Sequence, residues 1–413
     1  MITKIFPEKI LCGLDIGHRS IKAGLVKTGK SDDSFTVLGV SESKTKGFKN
    51  TSVTDLGELS ECIHAALQNL WRKTGCKLND VQLGVGGSLV GSQFSAAMIP
   101  LVDKGSKVIT FMDIKKAIRQ AQFLGLKVDE EVLHDFPQYY KVDDINIALN
   151  PLGLYGRKLE VNLLLITANI TRIQNIVKAV NQAGYEAENL FFSSYAASLV
   201  SLTEQVKKTG GVLIDIGSEV TTFLMFKNGI LKYFTEMSIG GENITKCIAQ
   251  AFGLPRDLAE EIKESHAMAA IPSENINEEI LIKNDTSYLS VKRQKLCQAI
   301  EIEVEKLVLS IKEAIQQCPL ADQINSGIIM TGGGTLLPGL IERVEKQVTL
   351  PVSLGKIFMT NTGISNIAIF LNAIGLAQTG YLSSLKFPLS GDRKEHWTRS
   401  LCDRVRELYQ EYF

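Results

Sequence analysis

Two short segments place an aspartate at the end of an apolar run, directly before an Ile-Gly turn. Residues 11–26 read LCGLDIGHRSIKAGLV and residues 211–226 read GVLIDIGSEVTTFLMF, so Asp15 and Asp215 occupy equivalent places. A carboxylate beside turn amides suits a phosphate group together with a hydrated Mg²⁺ ion. One such segment is a weak signal, but its recurrence in two equivalent hairpins predicts a phosphate site that uses both.

A third glycine-rich segment, MTGGGT, spans residues 330–335. It follows the apolar run 326–329 and precedes a helical pattern at 340–347. Three glycines let the backbone approach a ligand closely, and the N-terminus of the next helix favours anions. The alternative is a plain strand-to-helix turn, which we would favour if this segment stood alone.

The elements around these segments follow from the hydrophobic pattern. Period-2 alternation predicts a strand on each side of both Asp-Ile-Gly turns. Helical spacing predicts a helix over residues 56–71 that stops near Gly75, and another over 171–183 that stops near Gly184. A strand is predicted at 81–85.

Residues 86–166 have the pattern of an inserted unit. It contains predicted strands at 94–100, 131–140 and 157–166 and a helix at 113–124 that opens at Thr110 or Asp113, which together make a small α+β subdomain. A second distinct region, residues 246–319, is charged and helix-rich, with a long helix predicted over 291–317.

Composition excludes several classes of function. The 413 residues contain 45 Lys plus Arg and 45 Asp plus Glu, so no global field attracts nucleic acid. The seven cysteines form no CxxC pair, which argues against a disulfide framework or a zinc cluster. Pro7, Glu8 and Lys9 interrupt the N-terminal apolar run, and no apolar run reaches the roughly 18 residues of a spanning helix. We therefore expect the chain in a reducing cytoplasm.

Several motifs together resemble known families. The two hairpins, the segment Gly240-Gly241-Glu-Asn-Ile-Thr, the stretch 259–263 and MTGGGT are similar to the phosphate and adenosine motifs of the actin/Hsp70/hexokinase ATPase superfamily. Within the insert, GVGGSLVGS, LHDFPQYY, NPLG and GRKLEV resemble FtsA, a family of bacterial cell-division proteins. The resemblance runs from residue 11 to residue 413.

This resemblance implies an α/β, actin-like two-lobed fold, in which a pair of ribonuclease-H-like subdomains surrounds a nucleotide cleft and an α+β subdomain of the SHS2 type is inserted. The expected domains are 1–85, with returns at about 167–205 and 360–390, for the first lobe; 86–166 for the insert; 206–245 and 320–359 for the second lobe; 246–319 for the helix-rich subdomain; and 391–413 for a C-terminal amphipathic helix.

The resemblance also implies ATP and Mg²⁺ as cofactors. Asp15 and Asp215 would organise Mg²⁺ through water, and Glu260 and Lys263 would flank the nucleoside. The alternative for this last pair is an ordinary solvated ion pair at i, i+3 spacing. The residues expected to bind the nucleotide are Asp15, Gly17, His18, Arg19, Ser20, Asp215, Gly217, Ser218, Gly240, Gly241, Glu260, Lys263, Gly332, Gly333 and Gly334.

The sequence departs from the pattern of that superfamily at two places. The second loop usually reads DIGGGTTD, whereas this chain has DIGSEVTT, in which Glu219 adds a negative charge and Thr222 replaces the final aspartate. Ser193 and Ser194 stand where relatives tend to have Glu-Pro. We therefore expect at most slow ATP hydrolysis.

The last seventeen residues, WTRSLCDRVRELYQEYF, have the pattern of an amphipathic helix. At about 100° per residue, their apolar side chains fall within one arc. Aromatic side chains and flanking arginines suit a membrane surface, although a terminal helix docked on its own lobe is the alternative. The residues expected to enter the membrane interface are Trp397, Leu401, Val405, Leu408, Tyr412 and Phe413.

The resemblance implies a scaffold in the Z-ring of the division septum. It would bind the C-terminal tail of FtsZ through the helix-rich subdomain, polymerise head to tail with itself, and recruit later divisome proteins through 86–166. It would lie peripherally on the cytoplasmic side of the cytoplasmic (inner) membrane, on an anionic surface, and would bind no nucleic acid. The first alternative is a PilM-type platform protein of a pilus or secretion system, because DIGHRSIKAGLV also resembles that family. The second is a sugar or acetate kinase.

Overall fold

The computed structural model describes residues 8–29, 35–270, 279–284, 287–358 and 363–386. The first elements are β1 (Ile10–Ile16), β2 (Ser20–Thr28), β3 (Phe35–Lys44), β4 (Phe48–Lys49), β5 (Ser52–Val53), α1 (Leu56–Thr74) and β6 (Asp80–Val85). They are followed by β7 (Val90–Pro100), β8 (Lys107–Val108), α2 (Phe111–Gly125), β9 (Glu130–Val142), β10 (Asn146–Ala148), β11 (Tyr155–Gly156) and β12 (Lys158–Asn169).

The chain continues with α3 (Ile170–Gln182), β13 (Glu186–Phe192), α4 (Ser193–Ser201), α5 (Glu204–Thr209), β14 (Gly211–Ile216), β15 (Thr221–Lys227), β16 (Ile230–Met237), α6 (Gly241–Phe252) and α7 (Arg256–His266). The last described elements are β17 (Glu279–Asn284), β18 (Ser287–Lys292), α8 (Arg293–Gln317), β19 (Ile328–Thr331), α9 (Leu340–Val348), β20 (Val352–Leu354) and α10 (Leu371–Lys386).

These elements form two compact units. The described residues within 1–86, 174–201 and 355–413 make the first, and those within 87–173 and 202–354 make the second. Each unit has a sheet of the same topology, with order β3-β2-β1-β6-β13 in the first and β16-β15-β14-β19-β20 in the second. The repetition predicted from the two Asp-Ile-Gly segments is thus a repetition of whole sheets.

In the first unit, α10 packs against β1 and β2, and α1 packs against β3. The ends of α1 explain its length. Asp55 accepts a hydrogen bond from the Glu58 amide at its N-terminus, and Gly75 adopts a left-handed φ of 71° at its C-terminus. The predicted helix over 56–71 is confirmed, and it extends one turn further to the predicted stop.

The insert has an antiparallel sheet of order β10-β9-β12-β7 in the described residues. Helix α2 packs on one face of it and opens at Thr110, one of the two predicted starts, with a capping box between Thr110 and Asp113. Gln138 on β9 donates to the carbonyl of Leu231 on β16 at 3.0 Å, which connects the insert to the other sheet of the second unit. The predicted strands and helix of the insert are confirmed.

The core of the second unit lies between one face of its sheet and helices α6 to α9. This face carries Val212, Ile214, Ile216, Phe223 and Met225, which pack with the apolar side of α8 and with α9. The long helix predicted over 291–317 is confirmed as α8. The antiparallel hairpin of β17 and β18 was not predicted, and it interrupts the region that the sequence indicated as helical.

Candidate functional site

The first Asp-Ile-Gly segment forms a tight hairpin between β1 and β2. The Gly17 amide donates to the Ser20 carbonyl at 3.2 Å and closes the turn. Thr45, which follows β3, holds the turn from outside: its amide donates to Arg19 O at 2.9 Å and its hydroxyl to Gly17 O at 2.8 Å. The predicted residues Gly17, His18, Arg19 and Ser20 therefore lie in one braced loop.

The Asp15 carboxylate is held in place by two neutral donors. The Ser193 hydroxyl donates to Asp15 Oδ1 at 2.7 Å, and the Asn372 amide nitrogen donates to Oδ2 at 3.3 Å. Asp15 itself is 9% exposed. A carboxylate with fixed oxygens and little solvent contact is suited to bind an ion-bound water in one orientation.

The second hairpin repeats the turn of the first. The Gly217 amide donates to the Val220 carbonyl at 2.9 Å. The supporting contacts are different, because the N-terminus of α6 holds this turn where Thr45 holds the first. The Gly241 amide donates to Gly217 O at 3.0 Å, and the Glu242 amide donates to Ser218 O at 2.7 Å. The structure thereby brings the predicted residues Gly217, Ser218, Gly240 and Gly241 together.

The MTGGGT segment lies against the second hairpin. Thr331 pairs with Asp215 in the parallel register of β19 and β14. Gly332 has a φ of +87°, and a Cβ atom there would lie 2.4 Å from Ile216 O and 2.5 Å from Asp215 Oδ1. Glycine is therefore required where this loop crosses the aspartate. Gly333, in contrast, has open space around the position of a Cβ.

Glu260 and Lys263 form an ion pair of 2.8 Å between Oε2 and Nζ, and both are largely buried, with side chains 3% and 14% exposed. Lys263 Nζ also donates to Gly241 O at 3.1 Å and to Thr245 Oγ1 at 3.0 Å, which uses all three of its N–H groups. The Thr245 hydroxyl donates to the Glu260 carboxylate. The pair thus ties α7 to the first turn of α6; direct contact with a nucleoside stays a prediction.

A second ion pair supports the same junction. Arg256, the first residue of α7, lies 2.6 Å from the carboxylate of Glu242 on α6. Glu242 is 4% exposed, and the hydrogen bond to its carboxylate raises the pKa of Arg256. Two ion pairs and two amide hydrogen bonds therefore connect α7, the start of α6 and the second hairpin in series.

Sequence reasoning missed Glu236 on β16. Glu236 pairs with Thr222 on β15, which in turn pairs with Asp215 on β14. Burial, and then the charge of Asp215, raise the pKa of Glu236 to about 8. The pairing cannot be counted out from the hairpin turn, because a β-bulge between Met225 and Phe226 shifts the register by one residue; without it, residue 222 would lie opposite residue 235.

Taken separately, the oxygen donors near each hairpin are of the kind that a magnesium-bound phosphate uses. Each hairpin supplies one buried carboxylate, and Thr331 Oγ1 is buried without a hydrogen-bond partner among the described residues, close to Asp215 in the register. Oxygen donors of this kind are those that Mg²⁺ prefers, and Mg²⁺ usually keeps several waters when it binds one or two carboxylates. No group of three or more His, Cys, Asp or Glu side chains that could hold a metal occurs in the part of the chain that the structure describes.

The predicted membrane residues Trp397, Leu401, Val405, Leu408, Tyr412 and Phe413 lie outside the described residues. Among the described helices, none combines the length and the apolar character that crossing a bilayer requires.

Two family models match the chain. The model described as "Cell division protein FtsA" matches residues 212–375, and the model described as "SHS2 domain inserted in FTSA" matches residues 87–167. Together they cover more than half of the chain. The second match falls on the sheet of β7, β9, β10 and β12 with α2.

Curated relatives are similar along most of their length. "Cell division protein FtsA" of Pseudomonas aeruginosa is 27% identical over 376 residues, which cover 90% of this chain and 89% of the relative. The protein of the same name from Escherichia coli K12 is 27% identical over 394 residues, with coverages of 92% and 93%. That of Streptococcus pneumoniae is 29% identical over 389 residues, with coverages of 93% and 83%.

Solved structures share the fold at low identity. The chain described as "PilM-PilN type IV pilus biogenesis complex" is 15% identical, with a TM-score of 0.64 and coverages of 91% of this chain and 99% of that one. MreB 5 of Spiroplasma citri bound to AMPPNP is 12% identical, with a TM-score of 0.52 and coverages of 92% and 97%. The chain therefore has an actin-like α/β fold with an inserted SHS2 domain, as predicted.

Proposed function

Because the chain belongs to the FtsA family of cell division proteins, we propose that it is an ATP-binding scaffold that links FtsZ filaments to the cytoplasmic membrane. In this role it lies on the cytoplasmic side of the membrane at the septum, and it recruits later divisome proteins. The observation that carries the proposal is the match of the insert to the SHS2 domain of FtsA, on a fold with two braced phosphate-type hairpins.

Nucleotide binding is supported by the loops. The hairpins of Asp15 and Asp215 offer turn amides and one carboxylate each, and the glycine segment at 332–334 offers backbone that a base can approach. We propose that these elements bind ATP and that the two aspartates hold the waters of a Mg²⁺ ion. When it is bound, the ion neutralises part of the negative charge of the phosphates. Glu260 and Lys263 support the site through α6, and a direct nucleoside contact by them is part of the proposal.

A scaffold is favoured over an active enzyme by the second hairpin. Glu219 places a negative charge in a loop proposed to bind phosphates, which weakens transition-state stabilisation. Ser193 and Ser194 are buried and hold structural positions, with the Ser193 hydroxyl donating to Asp15. Nucleotide then acts mainly by binding, and hydrolysis is slow or absent.

The C-terminal segment 391–413 is the proposed membrane anchor. Its apolar arc supplies buried area at the interface, while its charges sum to zero, so that attraction to anionic lipid is modest. Weak single anchors add up when many copies lie on one filament. Head-to-tail polymerisation of this chain therefore belongs to the same proposal.

Exposed apolar side chains support the partner surfaces. In the insert, Phe111, Met112, Phe123 and Val128 are each at least 68% exposed, which suits recruitment of later divisome proteins. In the helix-rich region 246–319, Leu281 on β17 is 70% exposed and Ile302 on α8 is 67% exposed. We propose that this second surface binds the C-terminal tail of FtsZ.

The test is flotation of the full chain with FtsZ, Mg-ATP and vesicles that contain an anionic lipid. We expect the protein to float and to bring FtsZ with it, and a chain truncated after His396 to leave both at the bottom. A sharper comparison uses Leu401→Glu and Ser400→Glu in the full chain. Both variants add one negative charge, but only Leu401 lies on the predicted apolar arc, so only Leu401→Glu abolishes flotation.

The controls separate the alternatives. FtsZ without its C-terminal tail does not float if the proposal is right. A protein that floats but leaves intact FtsZ behind contradicts the tether and favours a platform of the PilM type. A protein that never floats contradicts the anchor, and ATP consumption that depends on a small phosphoryl acceptor favours a kinase of the same fold.

A further inference from the structure

A row of polar side chains crosses the sheet of the second unit. Glu236 on β16 is paired with Thr222 on β15, Thr222 with Asp215 on β14, and Asp215 with Thr331 on β19. Directly paired residues project from the same face of a sheet. The four side chains therefore form one line that runs across four neighbouring strands, with Asp215 inside it.

This line lies on the face opposite to the core of α8 and α9. Ile214, Ile216 and Phe223 occupy the intervening positions of β14 and β15, and they belong to the hydrophobic core that those helices complete. Side chains alternate between faces along a strand, so Asp215 and Thr222 point the other way. The polar row is thus separated from that core by the thickness of the sheet.

The two ends of the row carry oxygen atoms that make no hydrogen bond within the described residues. These atoms are Glu236 Oε1 and Thr331 Oγ1, and both are buried. Leaving a buried polar atom without a partner is unfavourable, because the atom gives up its hydrogen bonds to water and gains none from the protein. Two such atoms on either side of the same aspartate indicate a ligand that hydrogen-bonds to the row.

The charge of the row favours a cation as that ligand. Asp215 and Glu236 are its titratable members, and burial together with the charge of Asp215 keeps the pKa of Glu236 at about 8. A cation near Asp215 would offset the charge that opposes ionisation of Glu236. The Glu236 carboxyl is therefore mostly protonated at neutral pH, and a bound cation would lower its pKa and favour the ionised form.

The first unit contains the matching row with a different middle residue. There Asp15 pairs with Lys22, and Lys22 pairs with Glu42. In the second unit the uncharged Thr222 stands in the place of Lys22, and Glu236 stands in the place of Glu42. Glu42 is exposed, whereas Glu236 is half-buried and its Oε1 atom is shielded from solvent. The same topology thus places the carboxyl of Glu236 beside an uncharged middle residue, whereas the carboxyl of Glu42 lies beside Lys22.

We propose that Glu236 accepts hydrogen bonds from water bound to the divalent cation that accompanies the nucleotide, and so supplies the carboxylate that the second loop lacks at Thr222. The inference rests on the proposed binding of Mg-ATP. Glu236 lies directly across from Thr222 in the register, and Thr222 stands where the superfamily pattern DIGGGTTD, which the second loop resembles, ends in an aspartate. In this proposal β16 provides a carboxylate at the place where β15 carries the uncharged Thr222.

The experiment measures the affinity of a fluorescent ATP analogue over a series of Mg²⁺ concentrations and in EDTA. Glu236→Gln keeps the size of the side chain and removes its ability to ionise when a cation binds. We expect this variant to need about 10-fold more Mg²⁺ for half-maximal binding, since supporting partners of a metal site typically contribute this much. Affinity in EDTA stays unchanged. Water-proton relaxation of Mn²⁺, added in place of Mg²⁺ with ATP, gives an independent reading of the ion.

The chain offers both a matched control and a rescue. Glu42→Gln makes the same change at the equivalent position of the first sheet, and its Mg²⁺ dependence stays that of the wild type. The double variant Thr222→Asp with Glu236→Gln moves the carboxylate back to the loop, and we expect it to regain most of the lost Mg²⁺ affinity. Circular dichroism and thermal melting check that each variant is folded.

Two results would overturn the inference in distinguishable ways. If wild type and Glu236→Gln show the same Mg²⁺ dependence and the same Mn²⁺ relaxation, Glu236 does not support the cation, while Mg-ATP binding stands. If the wild-type chain binds no nucleotide with Mg²⁺, the proposed nucleotide function fails and the role of Glu236 fails with it.

Discussion

The hydroxyl of Ser193 donates a 2.7 Å hydrogen bond to Oδ1 of Asp15, across 178 positions of sequence. Ser193 is the first residue of α4 and follows β13 without a loop. A Cβ atom at Gly84, the residue paired with Asp15 on β6, would lie 2.4 Å from the same hydroxyl. The position beside Asp15 is therefore filled by a small neutral donor.

We predict that Ser193→Ala lowers the free energy of unfolding by about 1–3 kcal/mol, because a buried hydrogen bond to a carboxylate is lost. Urea denaturation followed by circular dichroism measures the change. Ser201→Ala is the control, since Ser201 is equally buried on α4 but donates only to the Ala197 carbonyl within its own helix. If both substitutions lowered the free energy of unfolding equally, the hydrogen bond to Asp15 would contribute no more to stability than the one within α4.

Much of the fold could be predicted from the sequence because its signals are local. The Asp-Ile-Gly hairpins, α1 with its glycine stop and the capping box of α2 all depend on residues within a few positions of one another. The hairpin of β17 and β18 was missed for the opposite reason. Its strands, EILIKN and SYLSVK, mix apolar residues with charged and polar ones, and the apolar residues do not alternate strictly, so the period-2 signal is weak.

The site was predictable in its loops but less so in its supports. Glu260 and Lys263 could be paired from their spacing, and the ion pair is confirmed. Their burial could not be predicted, because it arises from α6, whose Gly241 carbonyl and Thr245 hydroxyl complete the contacts of the ammonium group. Glu236 was missed since its place two strands away from Asp215 depends on the pairing and the bulge of a third strand.

We predict that Lys263→Met lowers the free energy of unfolding by about 3–5 kcal/mol, because it leaves the Glu260 carboxylate buried without its cation. Adding Glu260→Gln to this variant should recover part of the loss. A double-mutant cycle measured by urea denaturation gives the coupling of the pair. Glu303 and Lys306 provide the control.

The control pair has the same i, i+3 spacing and an N–O distance of 2.6 Å, but Lys306 is 58% exposed. Removing its charge with Lys306→Met should change the free energy of unfolding far less than Lys263→Met does, because an exposed ion pair is screened by solvent. A similarly small change for Lys263→Met would mean that the buried network is not needed to hold α7 against α6.

Gly332 and Gly333 should respond differently to the same substitution. Gly332→Ala is expected to lower both stability and nucleotide affinity, since the new Cβ meets Ile216 O and Asp215 Oδ1 at about 2.5 Å in a left-handed backbone conformation. Gly333→Ala has open space in the ligand-free chain, so its free energy of unfolding should change little.

If the nucleoside lies against this segment, however, Gly333→Ala should weaken binding of the ATP analogue by about 10-fold, because a methyl group then occupies space that the ligand needs. Thermal melting and analogue titration of both variants test this separation. Wild-type affinity in Gly333→Ala would contradict contact between the nucleoside and this glycine.

Glu236→Gln should stabilise the ligand-free chain at neutral and alkaline pH. The pKa of Glu236 is raised in the folded state from 4.5 to about 8, so between these values the unfolded chain releases its proton more readily than the folded one. The wild-type chain therefore loses stability as pH rises from about 4.5 to 8 and then levels off. Glutamine has no proton to release and avoids this loss, on the order of a few kcal/mol at pH 8.

Urea denaturation at a series of pH values measures the difference between Glu236→Gln and the wild type. It should be near its minimum at pH 4, grow through neutral pH and reach a plateau above pH 8; a difference that is independent of pH would contradict a raised pKa. Glu42→Gln controls for the loss of one negative charge from an equivalent, exposed position. A substitution that stabilises the free chain while weakening its response to Mg²⁺ would show that Glu236 is retained for binding, since its buried carboxyl lowers stability when no cation is present.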